Sequence, residues 1–278
     1  MVMIVLPITA AAVYLFLPYI KGLLTNPGAL RKNYRGENIP TGFGIIFIPA
    51  SLLGGIILLF SGGTDSQLIL LNTLGVTAMG FAGIIDDLLG SKSVKGFKGH
   101  AGRLAAGKLT TGGLKALVGG CAAAVISAVI SADIIEGVLN FLLIASFANL
   151  LNLLDLRPGR AIKSFFFIWG VSYLFVRSAA YSYLLLPLAG SLIACIPTDI
   201  RGRGMMGDAG SNALGIALGL YYCLGTVIYQ KTVILAVLVV LQCVSEKYSF
   251  SSIINRNKIL RYVDGLGTGG LGRIDDKS

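Results

Sequence analysis

Histidine is almost absent from this chain, and charge of either sign is scarce. A single histidine, His100, stands among 278 residues, so a histidine-based zinc site is not expected. Only 13% of residues are charged, about half the share in an ordinary soluble domain. The four cysteines, Cys121, Cys195, Cys223 and Cys243, lie inside apolar runs and form no C-x-x-C pair. They read as small buried hydrophobes rather than metal ligands or disulfides. No GxxxxGKS nucleotide loop and no internal repeat occurs.

What is abundant is apolar surface and glycine. Hydrophobic residues make up 55% of the chain, and there are 37 glycines. That composition describes a polytopic membrane protein in which small residues let helices approach closely. The net charge of +10 then reads as basic loops on one side plus anionic lipid or phosphate ligands, not nucleic acid.

Apolar runs near 2–20, 42–60, 67–86, 112–131, 137–155, 161–176, 181–197, 210–229 and 231–245 approach the length of a membrane helix. The first run lacks a basic start, and Lys21 follows it, so it reads as a membrane helix rather than a signal peptide. Residues 1–246 form the expected membrane domain, and 247–278 a polar cytoplasmic tail. With nine spans, every Lys and Arg except Arg177 and Lys231 falls in the odd-numbered loops or the tail. The expected fold is therefore an all-α bundle of about nine helices, with the N-terminus outside and the C-terminus cytoplasmic.

Most acids share that cytoplasmic side. Asp86 and Asp87 end segment 3, in GIIDD. Asp155 ends segment 5, and Asp199 and Asp208 precede segment 8. Carboxylates at membrane-helix ends are costly enough to suggest a shared pocket rather than unrelated interfacial residues. In "FANLLNLLDLRPGRAIKS", Asn149, Asn152 and Asp155 recur every third residue and spread over about 120° of a helix. Amides, an acid and the following cations suit a metal–phosphate ligand; interhelical hydrogen bonding is the plainer reading. In "RGRGMMGDAGSNALGIALG", glycines surround Asp208 at a helix start, where backbone N–H groups can face an anion; a capped turn is the plainer reading. Gly215 and Gly219 form a GxxxG for helix packing. The lysine-rich stretch 92–115 reads as a basic loop for phosphates or anionic lipid.

PTGFG after the first basic loop, GIIDD, NLLNLLD and GDAGS occur in that order. Over about residues 21–246 the chain resembles the polyprenyl-phosphate N-acetylhexosamine-1-phosphate transferase superfamily, the MraY and WecA types of glycosyltransferase family 4. The resemblance implies transfer of a sugar-1-phosphate from a UDP-sugar to undecaprenyl phosphate, with release of UMP, at a cytoplasmic Mg²⁺ site (Mn²⁺ as a substitute) in the plasma membrane. It implies cell-envelope polysaccharide synthesis as the setting. It assigns Asp86, Asp87 and Asp155 to catalysis, and Asp208 and Asp155 to the metal. Asn149, Asn152, Arg103 and Lys108 would bind substrate. Membrane lipids are expected partners, a homodimer is allowed, and nucleic acid is not expected. The chain departs from the family where Asn152 replaces an aspartate, where "LQCVSEKYS" stands in place of a His-rich motif, and in lacking a tenth helix. A catalytically silent prenyl-phosphate-binding homologue and a membrane transporter are the competing readings. Acids gathered at helix ends on one side argue against a transporter, whose sites lie near the midplane.

Overall fold

In a computed structural model of the chain, residues 2–33, 36–90, 102–103, 107–174 and 179–268 are described. The elements are α1 (Val5–Leu23), a hairpin of β1 (Leu30–Lys32) and β2 (Asn38–Pro40), α2 (Phe47–Ser61), α3 (Ser66–Leu89), α4 (Thr111–Ile130), α5 (Ile134–Leu154), α6 (Arg160–Ser172), α7 (Leu186–Asp199), α8 (Gly207–Gly225), α9 (Ile228–Lys247), α10 (Phe250–Arg256) and α11 (Lys258–Gly265). The fold is a helical bundle. Among the described residues, seven helices, α1 to α5, α7 and α9, are long and apolar enough to cross a membrane once short 3₁₀ turns are counted with α1, α2 and α7. They mark the chain as a multi-pass membrane protein.

Helix starts follow local chemistry. The carboxylate of Asp65 accepts from the N–H groups of Gln67 and Leu68 ahead of α3. Thr110 and Asp133 cap α4 and α5 in the same way. Such caps satisfy N–H groups that the helix itself leaves free.

Two of the nine apolar runs differ from the other seven. Run 161–176 gives α6, whose 13 residues reach only about 20 Å. Run 210–229 gives α8, which is long but carries Asp208, Ser211 and Asn212 among its glycines. Nearly every residue of α8 is buried. Walled by protein rather than lipid, it needs no uniformly apolar surface. A short hairpin stands beside the helices without changing the all-α class: Leu30 pairs with Pro40 and Lys32 with Asn38. Two cysteines also differ from expectation, since Cys121 on α4 and Cys243 on α9 are exposed.

α8 is the axis of the bundle, gripped by α3 on one side and α5 on the other. A Cβ on Gly215 would strike the backbone of Ala148 and Phe147, and one on Gly219 would strike Ile144 at 2.6 Å. The GxxxG therefore lies directly on α5. Phe147 stacks on Tyr222 with ring centroids 4.8 Å apart. Buried polar groups on this axis find partners: the Tyr221 hydroxyl meets Ser172 Oγ at 2.8 Å, and the Tyr222 hydroxyl donates to Ile168 O at 2.8 Å. α9 is peripheral; only its Lys231 and Leu238 are buried.

Candidate functional site at one end of the bundle

The site forms where α3 and α5 end and where α4 and α8 begin. Asp86 and Asp87 are neighbours, so the helix turns them about 100° apart, toward different partners. Asp87 faces the start of α8. Its Oδ1 accepts from Asp208 N at 3.0 Å and its Oδ2 from Ala209 N at 3.1 Å. A carboxylate at a helix N-terminus is favoured by the free N–H groups and the helix dipole. Two glycines permit this approach. Gly207 holds φ +71°, and a Cβ there would collide with the Asp87 carboxylate. Gly83, one turn before Asp87, meets the α8 backbone at Asp208 and Ala209.

Asp86 turns instead to α4. Lys115 Nζ lies 3.4 Å from Asp86 Oδ2 and also forms an ion pair with Asp208 Oδ2. One ammonium thus joins carboxylates from α3 and α8. On the hairpin, Arg31 donates from Nη2 to Asp87 O at 2.8 Å, satisfying a carbonyl that the end of α3 leaves free. The hairpin is tied to the start of α8 by Met205 N to Pro40 O at 2.8 Å and Gly42 N to Met205 O at 3.0 Å.

α5 contributes Asn152 and Asp155. Ser211 Oγ lies 3.1 Å from Asn152 Oδ1, which accepts, and 3.0 Å from Gly207 O. Asp155 is the residue after the last turn of α5, and the Gly207 N–H reaches it. Burial, then the nearby Asp199, Asp87 and Asp208, push its carboxyl well above the usual range.

These groups open on a cavity of about 390 Å³, whose walls include Arg31, Lys32, Asp86, Asp87, Asn152, Asp155 and Asp208. A second cavity of about 190 Å³ lies alongside, walled by Asp155, Asp199, Lys32, Asn33, Arg157 and Gly204 among others. Asp155 belongs to both. Asp199 is buried and its Oδ2 accepts from Gly159 N at 2.7 Å.

The structure thus gathers Asp86, Asp87, Asn152, Asp155 and Asp208 about one cavity, and it leaves others out. Asn149 is exposed and lines neither cavity. Six positions separate it from Asp155, a rotation of about 120°, and only the Asn152–Asp155 edge of α5 faces the site. Arg103 and Lys108 are exposed and line neither cavity. Lys92, Lys95, Lys98 and His100, from the same loop, lie outside the described residues. Sequence reasoning did not single out Lys115 or Arg31 for the site, and it named Asp199 only among the acids on the shared side. Lys115 carried a signal, a cation inside the first turn of an apolar segment, whereas Arg31 sits in strands of three residues with no readable pattern.

Among the described residues, no three of His, Cys, Asp and Glu converge as a complete metal cage. The donor chemistry still suits a hard cation, because Asp86 and Asp208 converge on a single ammonium. Mg²⁺ is commonly held by one or two carboxylates with substrate phosphates supplying the rest.

Fold and site together define a class: a multi-pass membrane bundle with an acid-rich, cation-edged cavity at one end. No protein-family model and no curated protein matches the chain.

Proposed function

We propose that this protein is a membrane phosphotransferase that moves a sugar-1-phosphate from a UDP-sugar to undecaprenyl phosphate and releases UMP. The observation that carries the reading is the meeting of Asp86, Asp87, Asp155 and Asp208 around one cavity edged by Arg31 and Lys32. The four acids come from three helices and lie at helix ends, where a lipid phosphate and a water-soluble nucleotide can meet. The one-sided distribution of Lys and Arg supports a cytoplasmic position for this end, nine crossings in all, and an external N-terminus.

The chemistry is a displacement at phosphorus. An oxygen of the lipid phosphate attacks the phosphorus that carries the sugar. The bond from that phosphorus to the bridging oxygen breaks, and UMP leaves with the electron pair. The lipid phosphate is already largely ionised at neutral pH, so no base is required to activate it. Asp208, with Asp86 beside it, would hold Mg²⁺, which would supply charge neutralisation and in-line orientation of phosphate oxygens, and Asp155 lines the same cavity. Arg31 and Lys32 at the wall hold phosphate charge. Asp87, with both oxygens accepting from α8, positions the start of that helix. Lys115 sets the side chains of Asp86 and Asp208.

The ion pairs of Lys115 also favour a second reading, a silent homologue that binds prenyl phosphate, because the ammonium already neutralises two of the acids. Purified protein incubated with undecaprenyl phosphate, Mg²⁺ and a panel of UDP-sugars separates the two. UMP release that stops on chelation is expected. Binding of the lipid phosphate with no UMP from any donor would replace the transferase by the silent homologue.

A further inference from the structure

The tail helix α11 is docked the wrong way round for a helix that water surrounds. Ile259, Tyr262 and Val263 recur at i, i+3 and i+4 and form one stripe, with Leu266 just past the helix end. In that order the four are 74%, 70%, 46% and 45% exposed. Asp264 lies about 140° round the helix from Ile259, and it is this polar edge that faces the bundle. Its Oδ1 accepts from Arg160 Nε at 2.8 Å and its Oδ2 from Arg160 Nη2 at 2.9 Å. Arg160 Nη1 also donates to Ser251 Oγ of α10 at 3.1 Å, and Lys163 Nζ donates to the backbone carbonyls of Asp264 and, at 3.1 Å, Val263. A soluble helix buries its apolar stripe and exposes its charges. Here a forked arginine clamp holds the charged edge and turns the stripe outward.

The chain itself says what covers that stripe. α9 is long and apolar enough to cross a membrane and ends at Lys247; only Tyr248 and Ser249 separate it from α10. The tail therefore begins at the membrane rim. Arg256 and Lys258 are exposed where the helix that carries the stripe begins, and Tyr248 and Tyr262 are exposed as well. Apolar, aromatic and basic groups in this arrangement suit the interface of a bilayer carrying anionic headgroups. We propose that α11 lies on an anionic lipid surface at the end of the bundle where α9 stops, with its apolar stripe in the interface and its Asp264 edge clamped to α6. The clamp lands on Arg160, next to Gly159, whose N–H holds Asp199. Lipid contact and the wall of the second cavity therefore share one segment.

The test uses full-length protein with Cys121 and Cys243 replaced by serine, since Cys195 and Cys223 are buried. Spin labels are placed singly through Ile259→Cys, Val263→Cys and Gly265→Cys, and the protein is reconstituted in nanodiscs of phosphatidylcholine with or without phosphatidylglycerol. With phosphatidylglycerol, labels at 259 and 263 should become several-fold more accessible to oxygen than to a water-soluble nickel complex, while the label at 265 should not. Adding R256E and K258E should reverse this. Each cation lost should lower the ratio of lipid-seated to water-exposed label about fivefold, the equivalent of about 1 kcal/mol. Labels at 259 and 263 that stay open to nickel in both lipids would overturn the proposal. So would dipolar broadening between labels that dilution with unlabelled protein removes, which would make a second copy of the chain the cover. Neither readout depends on UMP release.

Discussion

Two lysines face carboxylates at opposite ends of the bundle, about 30 Å apart along α5, in very different company. Lys231 at the start of α9 meets Glu136 Oε1 at 2.5 Å, and its side chain is 3% exposed. Glu136 also accepts from Ala132 N at 3.0 Å. One cation meets one acid, and no cavity opens beside them among those described. Lys115 meets Asp86 and Asp208 together, with Asp87 and Asp155 on the same cavity wall. A balanced pair closes a gap between helices. A surplus of acids held beside open space leaves negative charge unbalanced, which is what the proposed cation would offset.

The largest effect that would sharpen this contrast is catalytic. Asp208→Asn should lower UMP release by orders of magnitude and weaken its Mg²⁺ dependence, because it removes an acid that would hold the ion. Unchanged turnover and metal dependence would remove Asp208 from the site. Glu136→Gln should leave UMP release unaltered.

Geometry should matter nearly as much. Gly83→Ala drives a methyl into the α8 backbone at Asp208 and Ala209. It should destabilise the bundle by about 1–3 kcal/mol and lower UMP release at least tenfold by parting Asp87 from α8. Gly120 on α4 has nothing within 4 Å of an added Cβ, so Gly120→Ala should leave UMP release unaltered and raise stability by about 0.5–1 kcal/mol. Equal effects of the two, in a thermal melt and in the UMP assay, would break the link between this approach and activity.

At the balanced end the effects should be on stability and lopsided. Glu136→Ala leaves buried Lys231 without its acid and should cost about 3 kcal/mol. Lys231→Met leaves a partly exposed Glu136 to water and should cost about 1 kcal/mol or less. Denaturation midpoints of the two variants should differ in that order; the reverse order would mean that Glu136, not Lys231, is the strained partner.

The smallest effect concerns pH. Burial would raise the Asp264 carboxyl, but its hydrogen bonds to Arg160 and the charges of Arg160 and Lys163 hold it below the usual range. A carboxyl lowered in the folded state stabilises at neutral pH. That contribution begins to fade as pH falls past the unfolded value of about 3.9 and is lost on passing the folded one. A spin label on the exposed Leu260 should stay restricted at neutral pH and loosen only in acid below that range. Loosening near pH 6 would point to a different clamp.

The individual residues explain how much could be read in advance. Caps at Asp65, Thr110 and Asp133, apolar runs and the glycine-rich start of α8 are short-range chemistry, so helices and most of their ends were legible. Asp86, Asp87, Asp155 and Asp208 were legible as carboxylates at helix ends. Their partners were not. Arg160 and Asp264 are 104 positions apart, and Lys115 and Asp208 are 93; no local pattern links residues so distant. The outward turn of Asn149 followed from which edge of α5 packs on α8, a matter of helix rotation that threefold spacing leaves open. The low apolarity of α8 made sense only once its neighbours proved to be protein. By itself, then, this sequence determined its helices, their membrane character and the placing of acids at their ends, because these depend on contacts within a turn or two. Which acids share a cation, which asparagine faces the cavity and which edge of α11 is held were decided only when glycines such as Gly83 and Gly215 let distant backbones close on one another, since pairing depends on that approach and not on spacing along the chain.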